Sequence, residues 1–212
     1  MNIQKACFYS VGGQNNVDVS AAVYDGAKRA PGAHWAILLE ACGPAAIGLL
    51  PLAFSKVEGV AYRHAGAETK AFCEAVASIM EILDARLAEI RHSYVSGTVI
   101  RLTEHDVCAI TVGETDSWFL THEANGQCRN FLSTFSRAVP RIVNTFVHPH
   151  AGADILVVLP SHGMFPVFGS KESVFDRFEH APDVLPSMEK FEEDCEKTLK
   201  TGFGCAVMKS VH

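Results

Sequence analysis

The sequence has little that would support a zinc site, a nucleic-acid interface or a membrane span. Its seven cysteines are scattered and include no C-x-x-C pair. This spacing disfavours a zinc site or a disulfide framework and indicates reduced thiols in the cytoplasm. Lys and Arg number 18 against 24 Asp and Glu, and the net charge of −6 disfavours binding to nucleic acid or to an anionic membrane surface.

Long apolar runs are also missing. The longest, Gly43 to Phe54, contains Pro51, where we expect a break, and it is too short to cross a bilayer. The N-terminus has no long apolar region, so we expect no secretory signal. These features predict that the chain binds no membrane.

The residues that are present predict one α+β domain over residues 1–212. Hydrophobic residues make up 48% of the chain, and a chain of this length can bury a substantial core. No repeat, low-complexity segment or linker divides it. Eight strands are predicted: Ala6–Val11, Val19–Tyr24, His34–Leu39, Gly97–Leu102, Val107–Val112, Ser117–Thr121, Ile155–Leu159 and Cys205–Met208.

Helices are predicted between and after these strands. Pro44 stands where the first turn of a helix accepts proline, and Glu68 to about His92 carries one apolar stripe at spacings of three and four. Glu172–Phe178 and Leu185–Leu199 also read as helical. This order fits two antiparallel sheets with helices packed outside. Phe131–Phe146 is ambiguous, and His148-Pro149-His150 is predicted to be a solvated loop.

The most informative segment runs from Gly152 to Phe168. Its apolar run Ile155–Leu159 predicts a strand buried on both faces, which stops at Pro160 and turns through Ser161-His162-Gly163. The segment resembles the Gly-Asp-x-(apolar run)-Ser-Asp-Gly-Leu motif of the metal-dependent protein phosphatases, the type 2C family. In that family the second aspartate is a ligand of a two-metal centre, and His162 takes its place here.

Two N-terminal segments resemble further motifs of this family. Asn16-Val17-Asp18 is similar to Asn-(Gln/Glu)-Asp or Glu-Asp, with Val17 where some members carry an acidic ligand. Gly13 stands where the family has an arginine that holds the substrate phosphate. Ile37–Gly43 is similar to Val-x-Asp-Gly-x-Gly-Gly, so Glu40 replaces the bridging aspartate and Ala41 replaces a glycine.

Two later regions extend the resemblance over nearly the whole chain. Gly97-Thr98 and Val112-Gly113-Glu114-Thr115 look like the Gly-(Thr/Cys)-Thr and Val-Gly-Asp-Ser strands of the family. Thr201–Val207 occupies the place of Asp-Asn-x-Thr-Val-Val-Val, so that no carboxylate remains there. Five motifs in the family's order imply its fold, a four-layer αββα sandwich of two antiparallel sheets flanked by helices.

The resemblance implies a degenerate metal site. Asp18, Glu40 and His162 are the remaining candidate ligands, and two carboxylates leave about two of the four positive charges of a metal pair without compensation. The other positions of the vestigial site are Gly13, Val17, Ala41, Gly43, Glu114, Ser161, Gly163, Thr201 and Gly202.

Three functional hypotheses follow. The first is a pseudophosphatase, with no metal cofactor, that binds other proteins such as a kinase, a phosphoprotein or a larger assembly. The second is an active serine/threonine phosphatase whose Asp18, Glu40 and His162 hold Mn or Mg, or a single transition metal. The third, an N-terminal-nucleophile hydrolase, is disfavoured because Met1-Asn2 offers no Thr, Ser or Cys. Asp18 and His162 are also compatible with ordinary turn residues.

Overall fold

The computed structural model describes residues 2–10, 17–26, 30–88, 90, 93–113, 115–123, 126–134, 143–150, 155–161, 164 and 171–211. Ten strands lie in this part of the chain. They are β1 (Asn2–Tyr9), β2 (Val17–Asp25), β3 (His34–Cys42), β4 (Tyr94–Leu102), β5 (Asp106–Val112), β6 (Thr115–Glu123), β7 (Gly126–Thr134), β8 (Val143–Pro149), β9 (Ile155–Pro160) and β10 (Gly204–Val211). All eight predicted strands are present, with shifted ends.

The strands form two five-stranded antiparallel sheets. Sheet I has the order β1-β10-β9-β6-β7, and sheet II has the order β2-β3-β4-β5-β8. The helices are α1 (Pro44–His64), α2 (Thr69–Ala88), α3 (Lys171–Glu179) and α4 (Val184–Thr198). The α+β fold of two antiparallel sheets flanked by helices is therefore confirmed. That residues 1–212 form a single domain stays a prediction.

Side-chain alternation along the strands builds three hydrophobic clusters. One lies between α1, α2 and sheet II and includes Ile37 and Leu39. A second lies between α3, α4 and sheet I and includes Phe191. The third lies between the two sheets and includes Val19 and Leu38. Odd and even residues of β3 thus enter different layers, as the period of two requires.

Helix α1 corrects the expectation of a break at Pro51. It runs for 21 residues through this proline, because a buried stripe from Ala46 to Ala61 holds it on sheet II. By length and composition alone it could also cross a membrane, and 28% of its apolar window is buried. This is weak evidence for a span, since helices that pack on a sheet pass the same test.

The expectation for His148-Pro149-His150 is wrong. His148 and Pro149 belong to β8, which pairs with β5. His150 is only 8% exposed, and its Nε2 lies 2.9 Å from the carbonyl oxygen of Thr103. Burial of its ring accordingly lowers the pKa of His150. The histidine anchors the end of β8 against the β4–β5 turn instead of facing solvent.

Lys209 joins sheet I to the C-terminal end of α3. Its ammonium donates hydrogen bonds to the carbonyl oxygens of Phe178, Glu179 and Ala181 at 3.0, 2.9 and 2.7 Å. A cation is favourable there, because the last carbonyls of a helix have no partner within the helix and carry partial negative charge.

We expect Lys209→Met to lower the free energy of unfolding by about 2 kcal/mol, because three carbonyl groups lose a charged donor. Urea denaturation followed by circular dichroism measures this loss. The matched control is Lys70→Met, since the Lys70 side chain is 86% exposed and its change is expected to stay within about 0.5 kcal/mol. Equal effects of the two substitutions would contradict the capping role.

A second polar cluster lies between the sheets at the end formed by Asp25 of β2 and His34 of β3. Lys5 donates to Asp25 at 2.9 Å and to Nδ1 of His34 at 3.3 Å. His34 is 6% exposed, and its Nε2 has no hydrogen-bond partner among the described residues. Burial first, and then the positive charge of Lys5, lower the pKa of His34 from its ordinary value of 6.5.

His34 should therefore make stability depend on pH. Its folded pKa lies below its unfolded value, so its contribution is fully present above about pH 6.5 and is lost as the pH falls toward the folded pKa. We expect the free energy of unfolding to fall by up to about 1.4 kcal/mol per pH unit below that point. Urea titrations at pH 7.5, 6.5 and 5.5 test this, and His34→Gln should flatten the profile. An unchanged slope in the variant would assign the dependence to another group.

Candidate functional site

The motif residues gather at one end of the sandwich, where both sheets contribute strand ends. Val17 and Asp18 begin β2, Glu40 lies near the end of β3, and Ser161 follows β9. Gly202 precedes β10 and contacts the start of β2, because its backbone N–H donates to the Val17 carbonyl oxygen at 3.1 Å. The five positions come from two sheets but meet at one end of the molecule.

Gly202 sits so close to β2 that no side chain fits. A Cβ atom on Gly202 would lie 2.2 Å from the Val17 carbonyl oxygen and 3.0 Å from Cα of Asp18. The position that resembles the family's asparagine is therefore occupied by a backbone-to-backbone contact. Thr201, at the place of the family's aspartate, is half-buried, and its Oγ1 is buried without a hydrogen-bond partner among the described residues.

Ser161 has a structural task. Its Oγ accepts a hydrogen bond from the backbone N–H of Gly204 at 3.0 Å, and its own N–H donates to the Gly204 carbonyl oxygen at 2.8 Å. The residue is 1% exposed. This hydroxyl ties the end of β9 to β10 and offers no accessible nucleophile.

Strand register separates the two remaining carboxylates. Asp18 pairs with Ala41, and Glu40 pairs with Val19. Directly paired residues share a face of the sheet and successive residues alternate. Ala41 belongs to the cluster under α1 and α2, whereas Val19 belongs to the cluster between the sheets. Asp18 therefore faces the helical layer and Glu40 faces sheet I.

The register also locates Val17 and a residue that the motifs did not indicate. Val17 pairs with Cys42 and lies on the same face as Glu40. Ser96 pairs with Glu40 from the other side and is 1% exposed. The motif residues Gly97-Thr98 lie next to Ser96 but do not include it. The only signal in the sequence for Ser96 is its position directly before this motif.

Gly43 has a conformational role at the start of α1. Its φ of 89° places it in the left-handed region, which glycine adopts without the steric penalty of a Cβ atom. It stands directly before Pro44, which occupies the first turn of α1. Gly43 therefore turns the chain from β3 into the helix. Ala41, two residues earlier, is fully buried in the cluster under α1 and α2.

Several predicted site residues lie outside the described part of the chain: Gly13, Glu114, His162 and Gly163. Their roles stay predictions, and so does the complete set of Asp18, Glu40 and His162. Within the described ranges, no group of three or more His, Cys, Asp or Glu side chains is placed to hold a metal ion. The described residues alone do not fit a metal pair, because their two motif carboxylates point into different layers.

The fold of this chain matches that of solved protein phosphatases. Serine/threonine phosphatase Stp1 from Staphylococcus aureus superposes with a TM-score of 0.67 at 10% identity, covering 100% of this chain and 96% of that one. The catalytic domain of the serine/threonine protein phosphatase PstP, solved with two manganese ions, gives 0.68 at 14% identity, with 99% of each chain covered.

The type 2C phosphatase domain of SpoIIE from Bacillus subtilis, solved with a fragment of its regulatory domain, gives a TM-score of 0.60 at 14% identity, covering 99% of this chain and 64% of that one. No family model matches the sequence, and no curated protein matches it either. The resemblance that the motifs indicated is confirmed at the level of structure: this chain has the fold of the type 2C, metal-dependent serine/threonine protein phosphatases.

Proposed function

We propose that this chain is a type 2C phosphatase-like domain that has lost metal-dependent catalysis and works as a regulatory or structural subunit by binding other proteins. The observation that carries the proposal is the opposite orientation of Asp18 and Glu40 across β2 and β3. Ligands of one hard divalent cation must converge to about 2.0–2.6 Å from it. Two carboxylates on opposite faces of one sheet cannot do so without a change of register.

The substitutions around this pair support the same conclusion. Val17 is apolar on the face that Glu40 shares, and Thr201 is neutral where the family carries an aspartate. A pair of divalent cations brings four positive charges, and uncompensated charge in a partly dry site costs several kcal/mol per ion. The described part of the site keeps the family's scaffold with too few carboxylates to balance such a pair.

The test of this proposal is turnover with matched variants. We expect the purified chain with excess Mn²⁺ to hydrolyse p-nitrophenyl phosphate and a phosphothreonine peptide no faster than Glu40→Gln or Asp18→Asn. Glu104→Gln is the control, because Glu104 is exposed in the β4–β5 turn. Turnover that is lost in Asp18→Asn or Glu40→Gln and kept in Glu104→Gln would overturn the proposal.

That outcome would support the alternative, an active phosphatase with an atypical centre of Asp18, Glu40 and His162 holding Mn or Mg. The same fold in PstP with two manganese ions favours testing it. Isothermal titration calorimetry with Mn²⁺ distinguishes the pseudophosphatase from the active phosphatase. We expect no saturable binding by the chain itself, and measurable binding once carboxylates are restored in the triple variant Val17→Glu, Glu40→Asp, Thr201→Asp.

The proposed partners are proteins, such as a kinase, a phosphoprotein or a larger assembly, in the cytoplasm. Six cysteines, Cys7, Cys42, Cys73, Cys108, Cys195 and Cys205, are free thiols, which is compatible with a reducing compartment. Recovery of tagged chain from cells should return the same partner proteins for the native sequence and for Glu40→Gln. A partner lost specifically in Glu40→Gln would instead indicate that binding uses the metal site.

A further inference from the structure

Two buried cysteines meet between α2 and sheet II, away from the candidate site. Cys73 of α2 is 5% exposed and Cys108 of β5 is fully buried. Both belong to the hydrophobic cluster between α2 and sheet II, and their thiols are hydrogen-bonded to each other. Because they lie in different layers of the fold, a covalent bond between them would tie α2 to β5.

Arg101 positions this pair. It is the direct cross-strand neighbour of Cys108, and its guanidinium lies 4.5 Å from the centroid of the Phe72 ring, one residue before Cys73. It also donates to Thr69 Oγ1 at 2.6 Å and to the Ala67 carbonyl oxygen at 2.8 Å. The start of α2 is thereby fixed over β5, and the permanent positive charge of Arg101 acts on both thiols.

The surroundings make the two thiols unequal. The hydrogen bond from Cys108 and the charge of Arg101 lower the pKa of Cys73, whereas the same hydrogen bond and burial raise the pKa of Cys108. Cys73 is also the less deeply buried of the two, 5% exposed against 0% for Cys108. It is therefore the sulfur that a small oxidant reaches first and that more readily becomes a thiolate. An attacking thiolate with a resolving thiol in contact is the arrangement of a redox-sensitive cysteine pair.

We propose that Cys73 and Cys108 form a dithiol site that hydrogen peroxide oxidises to an intramolecular disulfide. The Cys73 thiolate attacks one peroxide oxygen, the O–O bond breaks, and hydroxide leaves and takes up a proton to become water. The resulting S–OH group is attacked by the Cys108 sulfur, the S–O bond breaks, and a second water leaves with the Cys108 proton. Two thiols lose two electrons, and one peroxide becomes two waters.

A small oxidant suits the burial of the site. Hydrogen peroxide is close to water in size, whereas bulky disulfides such as oxidised glutathione cannot reach a sulfur that is 5% exposed. The chain contains its own comparison pair, Cys195 of α4 and Cys205 of β10, both fully buried. Burial raises the pKa of Cys195 to about 12 and that of Cys205 well above its ordinary value, so that this second pair should stay reduced.

The experiment is disulfide mapping of the folded, native chain after hydrogen peroxide treatment, alkylation and non-reducing proteolysis. We expect a Cys73–Cys108 cross-linked peptide, reversed by dithiothreitol, to form at least about tenfold faster than any Cys195–Cys205 peptide, since one pKa unit changes the thiolate fraction tenfold. In Cys108→Ser, Cys73 should stop at the sulfenic acid and react with dimedone. In Cys73→Ser, Cys108 should remain unmodified.

Every other result overturns the proposal. Cys73 and Cys108 that stay alkylatable while the half-buried Cys7 and Cys42 oxidise would show a packed thiol pair with no redox role. Cross-linking that appears only in urea would show that the folded site does not react. If a variant fails to fold by circular dichroism, the mapping of the native sequence decides alone.

Discussion

Gly202→Ala is expected to lower the free energy of unfolding by about 3 kcal/mol, the upper part of the range for forcing a methyl group into packed structure. The added Cβ would lie 2.2 Å from the Val17 carbonyl oxygen and 2.9 Å from the Val17 carbonyl carbon. Both are backbone atoms, so no side-chain rotation relieves the overlap. The overlap is removed only if the segment before β10 moves away from the start of β2. That movement also breaks the hydrogen bond from Gly202 to Val17.

Urea denaturation of Gly202→Ala against Gly48→Ala measures this. Gly48 lies on the exposed side of α1, with no atom within 4 Å of an added Cβ. There the same substitution should raise stability by about 1 kcal/mol, because alanine favours a helix interior more than glycine does. A Gly202→Ala protein as stable as the native chain would show that the two sheets do not touch at this end. It would also contradict the conclusion that a backbone contact between Gly202 and Val17 occupies the position of the family's asparagine.

The sequence could predict the layers because they depend on local patterns. The apolar runs of β3 and β9 are typical of strands buried on both faces, and the more mixed sequence of β2 is typical of a strand buried on one face. The order of five motifs then indicated the sandwich. The full length of helix α1 was harder to predict, because proline disfavours a helix interior by a local rule. The burial of Leu50 and Ala53 against the sheet overrides that rule, and this tertiary contact is not visible from the sequence.

The geometry of the candidate site could not be predicted in the same way. Whether Asp18 and Glu40 converge depends on the register of β2 against β3, and a shift of one residue moves a side chain to the other face. The motif match fixes positions along the chain and says nothing about that register. Likewise, the contact of Gly202 with Val17 joins residues at opposite ends of the sequence, so no local pattern indicates it.

The stabilising role of Arg101 could not be predicted from the sequence either. In the sequence it is one charged residue in an apolar strand. In the structure its side chain is 2% exposed and lies 4.0 Å from an Asp106 carboxylate oxygen. It donates to the carbonyl oxygens of Ala65 and Ala67 at 3.3 and 2.8 Å. Its partners come from the α1–α2 turn, more than thirty residues earlier in the chain, so only tertiary structure reveals what compensates the buried charge.

We expect Arg101→Met to lower the free energy of unfolding by about 3–5 kcal/mol, because it leaves a partly buried Asp106 carboxylate and two carbonyl groups without their donor. The control is Arg177→Met, whose partner Asp194 lies at 3.0 Å. Both side chains of that pair are about one third exposed, so that a loss of no more than about 1 kcal/mol is expected. Guanidinium denaturation, with amide exchange of α2 as a second readout, measures both.

Exchange should accelerate first at the start of α2 in Arg101→Met, since Thr69 loses its bond to the guanidinium. Similar losses in the two variants, or unchanged exchange at Thr69, would show that the buried arginine does not hold α2 on the sheet.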